Sequence, residues 1–112
     1  WSQPTRVNND EGTHQQFFSW FDLDPVTGHL YWVFYDRRNH LNNDTDVFLA
    51  WSKDGGKTIE NLKISESPFL PTKDVFFGDY NNISAYNGRV RPIWTRMDNG
   101  RLSVYTALID VK

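Results

Sequence analysis

The chain has 112 residues, with five Trp, eight Phe, 16% aromatic content and no Cys. That length suits one small domain or part of a larger one, and the aromatic excess favours packed β-layers over helix. A formal net charge of −2 gives no basis for nucleic acid or an anionic membrane as partner, absent thiols exclude a disulfide framework, and no run approaches the roughly 18 apolar residues of a membrane span.

Trp1–Asn8 reads as a short edge strand, because Pro4 lacks the N–H that a central strand must donate. Residues 9–14 are a polar loop. Gln16–Leu23 is the next strand, followed by the turn Asp24-Pro25-Val26-Thr27-Gly28, in which Pro25 presets φ and Gly28 takes the left-handed position. His29–Tyr35 is a strand with almost no polar alternation, so both of its faces are expected to be covered. Asp36–Thr45 is a long polar loop.

The strands Asp46–Trp51 and Ile59–Ile64 flank Ser52-Lys53-Asp54-Gly55-Gly56-Lys57-Thr58. Asp-Gly-Gly supplies the positive φ values of a tight hairpin. Ser52, Asp54 and Thr58 are placed to hydrogen-bond the turn's own backbone, with Ile59 tucked beneath it. Ser65–Asp74, carrying Pro68 and Pro71, is a crossing linker.

The pattern then repeats. Phe76-Phe77 answers Phe17-Phe18 at 59 residues, Asn87-Gly88 answers Thr27-Gly28 at 60, and Ala107 answers Ala50 at 57. Trp1 stands 58 residues before Ile59. Val90–Trp94 and Leu102–Ile109 are the corresponding strands, with Asp98-Asn99-Gly100 as the turn between them. This spacing argues for an internal repeat of four strands. No segment carries a sustained helical stripe.

The octapeptide Ser52–Ile59 resembles the Asp box of the sialidase-like (BNR-repeat) β-propellers. Together with the repeat and the phrases Tyr35-Asp36-Arg37-Arg38 and Phe77-Gly78-Asp79-Tyr80, it makes the chain resemble the C-terminal part of a secreted propeller of Bacteroidetes type. The resemblance implies an all-β, partial β-propeller of four-stranded antiparallel blades. Residues 1–8 would close a preceding blade, 15–65 form one complete blade and 75–110 supply three strands of the next. Trp1 then reads as the last position of a preceding Asp box, so the chain is expected to be a piece of a longer protein.

Propeller geometry sorts the loops. Connections between second and third strands share the ligand face with the blade crossovers. This puts Asp36, Arg37, Arg38, His40 and Asp44 on that face, with Asp79, Tyr80 and Arg96 near it. The structural Asp box (Ser52, Asp54, Gly56, Thr58, Ile59), Asp24–Gly28 and Asn87-Gly88 fall on the far side. Plainer readings stand beside these: an ion pair of Asp36 with Arg37 between blades, a buried satisfied Tyr80, and a solvated Arg96. Asn42, Asn43, Asp44 and Asp46 are rich in oxygen but lack the spacing of a calcium loop. The three His lack metal-ligand spacing, so no metal or cofactor is expected.

Two functions follow from the resemblance. One is glycan binding or glycoside hydrolysis by a secreted or cell-surface sialidase-like propeller. That chemistry needs three Arg around a carboxylate, a Tyr activated by a Glu, and an Asp acid. Glu11, Glu60 and Glu66 fall in loop or outer-strand sequence, and no Tyr–Glu pairing is visible. The alternative is therefore a non-catalytic scaffold or interaction propeller at the cell surface or in a secretion-associated complex. The expected partners are a glycan and further blades, or another chain, covering exposed sheet edges. The 112 residues alone are expected to self-associate.

Overall fold

The computed structural model describes residues 1–72 and 81–111. The chain is all-β, with two antiparallel sheets and no helix among the described residues. The first sheet runs β1 (Gln16–Leu23), β2 (Leu30–Asp36), β3 (Asp46–Ser52) and β4 (Glu60–Lys63), each paired with its sequence neighbour. The second holds β5 (Asn82–Tyr86), β6 (Arg89–Asp98) and β7 (Arg101–Thr106), with β8 (Ile109–Asp110) also on β6. β7 and β8 are one strand interrupted. Ile93↔Thr106 and Val90↔Ile109 keep the same register, and the break falls opposite Pro92, which has no N–H to donate. The continuous strand expected over 102–109 is split for that reason.

The sheets pack face to face. Tyr31, Val33, Tyr35, Val47 and Leu49 of the first meet Ile83, Ala85, Val90, Trp94 and Met97 of the second. The opposite face of the first sheet presents Trp32, Phe34, Phe48 and Ala50, with Val7 and Ile59 packed against them. Period-two alternation thus sends β2 into two separate clusters, which is why its sequence lacks a polar face. On the outer face of the second sheet Ile93, Leu102 and Val104 are exposed, while Met97 at the end of β6 is buried.

Asn87-Gly88 and Asn99-Gly100 close β5–β6 and β6–β7 with positive φ at every position, the two-residue turn that matches strand twist. Gly88 is also required by space, since a Cβ there would collide with the Val111 carbonyl. Trp1–Asn8, expected as an edge strand, forms no ladder. Its Val7 carbonyl is taken instead by the Asn61 side chain at 3.1 Å.

β1 carries a bulge. Phe17 pairs with Tyr35 and Trp20 with Val33, so Phe18 and Ser19 together stand opposite Phe34. Phe18 has φ 52°, a left-handed conformation that costs a bulky residue on the order of 1–3 kcal/mol. Regular pleating would put Phe18 on the face of Gln16 and Phe34. The bulge sends it instead against Phe17 (ring centroids 5.2 Å) and Tyr35 (6.0 Å), and Ser19 takes its place.

Candidate functional site

The end of β2 leads into the long polar loop, and there the expected ligand-face residues gather. Asp36 is fully buried and accepts three hydrogen bonds from Arg38, from its backbone N–H (2.7 Å), Nε (2.9 Å) and Nη2 (2.8 Å). Arg38 continues outward. Its Nη1 donates to Asn9 Oδ1 at 2.6 Å and its Nη2 to Asn61 Oδ1 at 2.9 Å, while the guanidinium lies 4.1 Å over the Phe48 ring. The acid's partner is thus Arg38, within one sheet, rather than Arg37 between sheets. Arg37 donates to Thr45 Oγ1 (3.2 Å) and Gln15 Oε1 (2.5 Å) and covers the Phe17 ring. Burial pulls its pKa below the ordinary value.

His40 Nε2 meets Asp46 Oδ2 at 2.9 Å, and Asn42 Oδ1 accepts the Asp44 backbone N–H at 2.8 Å in an Asx turn. Among the described residues no group of three His, Asp or Glu stands close enough to hold a metal ion.

Arg96 lies across the inter-sheet groove, on β6. It grips Asp98 with Nε (2.8 Å) and Nη2 (3.1 Å), and donates to Ser67 Oγ (2.7 Å), Pro68 O (3.0 Å) and the Ser67 carbonyl. It is buried against Phe69 and Tyr105 rather than solvated. Its work is to fasten the chain crossing between the sheets, which Thr45 and Phe69 also clamp by two backbone hydrogen bonds of 2.7 and 2.9 Å. Asp79 and Tyr80 lie outside the described residues.

The Asp box folds as its side chains dictate. Ser52 Oγ accepts Gly56 N–H at 2.8 Å, and Asp54 accepts both the Thr58 N–H (2.9 Å) and hydroxyl (2.7 Å). Those two bonds from Thr58 are the chief cause that lowers the Asp54 pKa to about 2. Ile59 packs toward Phe34, Phe48 and Ala50.

Several organising residues gave no signal in the sequence. Asp24, within a turn, is fully buried and reaches the second sheet, accepting N–H groups from Asn87 (2.9 Å) and Gly88 (2.7 Å) as well as from its own Val26 and Thr27. Desolvation pushes its carboxyl up, but these four N–H groups outweigh it and hold the carboxyl far below the usual range. Asp22 likewise accepts Ala85 N–H at 2.7 Å. Tyr35 crosses in the other sense: its hydroxyl donates to Thr95 O (2.8 Å) and accepts from Thr95 N–H (3.0 Å), and burial pushes its pKa up to about 12.

Beside the Asp36–Arg38 pair, a pocket of about 320 Å³ opens on the face of the first sheet that points away from the second. Gln16, Ser19, Trp32 and Phe34 form its floor, and Val7 and Asn8 its roof. Asn8 Nδ2 donates to both Asp10 Oδ1 (2.6 Å) and Gln16 Oε1 (3.0 Å). Gln16 Nε2 and Asp10 Oδ2 are closed to solvent, and the Gln16 amide lies beside the Asp10 carboxyl and helps to lower its pKa. The roof is held down by Arg38 and Asn61 acting on residues 7–9. No residue of this pocket was a site candidate in the sequence, because regular alternation assigns its floor to Phe18.

Comparison with protein-family models, with curated proteins and with solved structures finds no match to the chain. No helix among the described residues is long and apolar enough to cross a membrane.

Proposed function

We propose that the chain is part of an array of stacked four-stranded sheets, a sialidase-like propeller that works as a non-catalytic scaffold or interaction module at the cell surface or in a secreted complex. The observation that carries this reading is the internal commitment of its two best-placed guanidiniums. Arg38 and Arg96 direct their donors to Asp36, Asn9 and Asn61, and to Asp98, Ser67 and Pro68. Glycoside hydrolysis, the other function implied by the Asp box, needs guanidiniums free to receive a substrate carboxylate. The exposed residues Ile93, Leu102 and Val104 support the array, since the first sheet's Val33, Val47 and Leu49 are covered by a neighbouring sheet. A fluorogenic sialoside assay on the purified chain tests the reading. No turnover above the buffer blank is expected, and enzymatic release of the fluorophore would overturn it.

A further inference from the structure

We infer that Asn99 is a site of spontaneous covalent modification: its side-chain amide cyclises on the Gly100 nitrogen to an imide, which water opens to aspartate and isoaspartate, while Asn87 in the matching turn is protected. This goes beyond the scaffold reading and does not depend on it.

Of the chain's Asn residues only Asn87 and Asn99 precede glycine. Glycine favours the ring closure because no side chain shields its nitrogen and its backbone rotates freely. In the reaction the Gly100 N–H gives its proton to hydroxide, and the nitrogen attacks Asn99 Cγ. The N–Cγ bond forms, the Cγ–Nδ2 bond breaks, and ammonia leaves. Water then adds to one of the two imide carbonyls and reopens the ring, with no oxidation or reduction.

The two turns share sequence and conformation. Asn87 and Gly88 have φ 52° and 79°, and Asn99 and Gly100 have 53° and 76°. They differ in what holds the glycine nitrogen. The buried Gly88 donates its N–H to Asp24 Oδ2 at 2.7 Å, and its carbonyl accepts the Val111 N–H at 2.7 Å. The Asn87 N–H is held by Asp24 Oδ1 at 2.9 Å. Attack from the Gly88 nitrogen would first break a charge-assisted hydrogen bond, then set negative charge against the Asp24 carboxylate. The other hairpin lacks this lock. Asn99 is exposed, and among the described residues neither its side chain nor the Gly100 N–H is hydrogen-bonded. A Cβ added at Gly100 would meet no atom within 4 Å, so the turn has room to rotate.

The product bears on the sheet's edge. Isoaspartate inserts an extra carbon into the backbone of a two-residue turn, and all six residues of β7 beyond it are exposed. Little packing holds that strand once its turn is altered.

The test is prolonged incubation of the folded chain in mildly alkaline buffer, followed by tryptic mass spectrometry and enzymatic methylation of isoaspartyl groups. Arg89, Arg96 and Arg101 place the two Asn-Gly pairs in separate peptides. Asn99 is expected to convert to both products, and Asn87 roughly ten- to a hundredfold more slowly, the worth of one hydrogen bond to a charged group. In guanidinium chloride the two should convert at similar rates. Asp24→Ala, which frees the Gly88 N–H, should close most of the gap; where that variant fails to fold, the folded and denatured parent decide the matter. The inference is overturned if folded Asn99 keeps its amide while the denatured chain loses it, if folded Asn87 converts as fast as Asn99, or if the contrast persists in denaturant.

Discussion

The Asp24 carboxylate belongs to the first sheet, yet it receives the Gly88 N–H of the second at 2.7 Å and the Asn87 N–H at 2.9 Å. One buried side chain thus ties the β1–β2 turn to the β5–β6 turn. Charge-assisted bonds to backbone N–H are among the stronger hydrogen bonds, and here they fix the two sheets' relative position at one end. Asp24→Ala leaves four N–H groups without that acceptor. The variant is expected to melt at lower temperature and to show the largest loss of amide-exchange protection at Asn87 and Gly88. Unchanged protection at those two amides would refute the tie.

Tyr35 makes the second tie, at the other end of β2. Tyr35→Phe leaves the Thr95 N–H and carbonyl without the hydroxyl that answers both, and should destabilise the fold by about 1–3 kcal/mol. Urea denaturation checks the figure. The hydroxyl also makes stability sensitive to alkali. Burial raises its pKa from 10.0 to about 12, so its contribution is complete below pH 10 and is lost as pH rises toward 12. The Phe variant should lose that part of the alkaline decline.

Acid acts in the opposite sense. Asp54 is lowered from 3.8 to about 2, and Asp24 is lowered further. The unfolded chain takes up these protons first, so their stabilisation is complete above about pH 5 and falls as pH drops through 4 toward 2. Melting temperatures measured from pH 7 to pH 2 should trace that fall, and Asp54→Asn should flatten part of it. A parent profile level down to pH 2 would contradict the assignment.

Arg38 is the pin of the pocket's roof. Arg38→Ala leaves the fully buried Asp36 without its ion-pair partner and frees Asn9 and Asn61. A loss of about 3–5 kcal/mol is expected from breaking a buried pair on one side. Arg38→Lys should recover little, since an ammonium cannot reach Asp36, Asn9 and Asn61 together with one planar fork. Chemical denaturation of both variants decides this, and full rescue by Lys would mean that charge alone matters.

Much of the architecture was legible in local sequence, because its causes are local. Gln16–Leu23 is bounded as the sequence implies, and the Asn-Gly pairs and the Ser52–Ile59 hairpin follow from turn chemistry that needs no distant partner. The unbroken apolar run of β2 announced two covered faces, and two clusters cover them. Trp1–Asn8 misled because β-propensity and an edge proline do not supply a strand to pair with.

The candidate site was legible only as a neighbourhood. Asp36, Arg38 and Arg96 carry the residue types of a ligand face, but their partners, Asn61, Asn9 and Ser67, are distant in sequence, and the fold alone makes them partners. Asp24 read as a turn residue for the same reason: its turn role is local, and its tie to Gly88 spans 64 residues. The bulge at Phe18 is the sharpest case. Sequence alternation places a phenyl ring where the tertiary structure places Ser19, because the packing of Phe18 against Phe17 and Tyr35 and the hydrogen bond from Asn81 to the Phe18 carbonyl, all set by the fold, help to offset the left-handed backbone. The sequence by itself marked most of the strands and the turns that join them, though not the unpaired Trp1–Asn8 or the break opposite Pro92. The tertiary structure decided which polar groups are consumed in holding the sheets together, and where a pocket is left open.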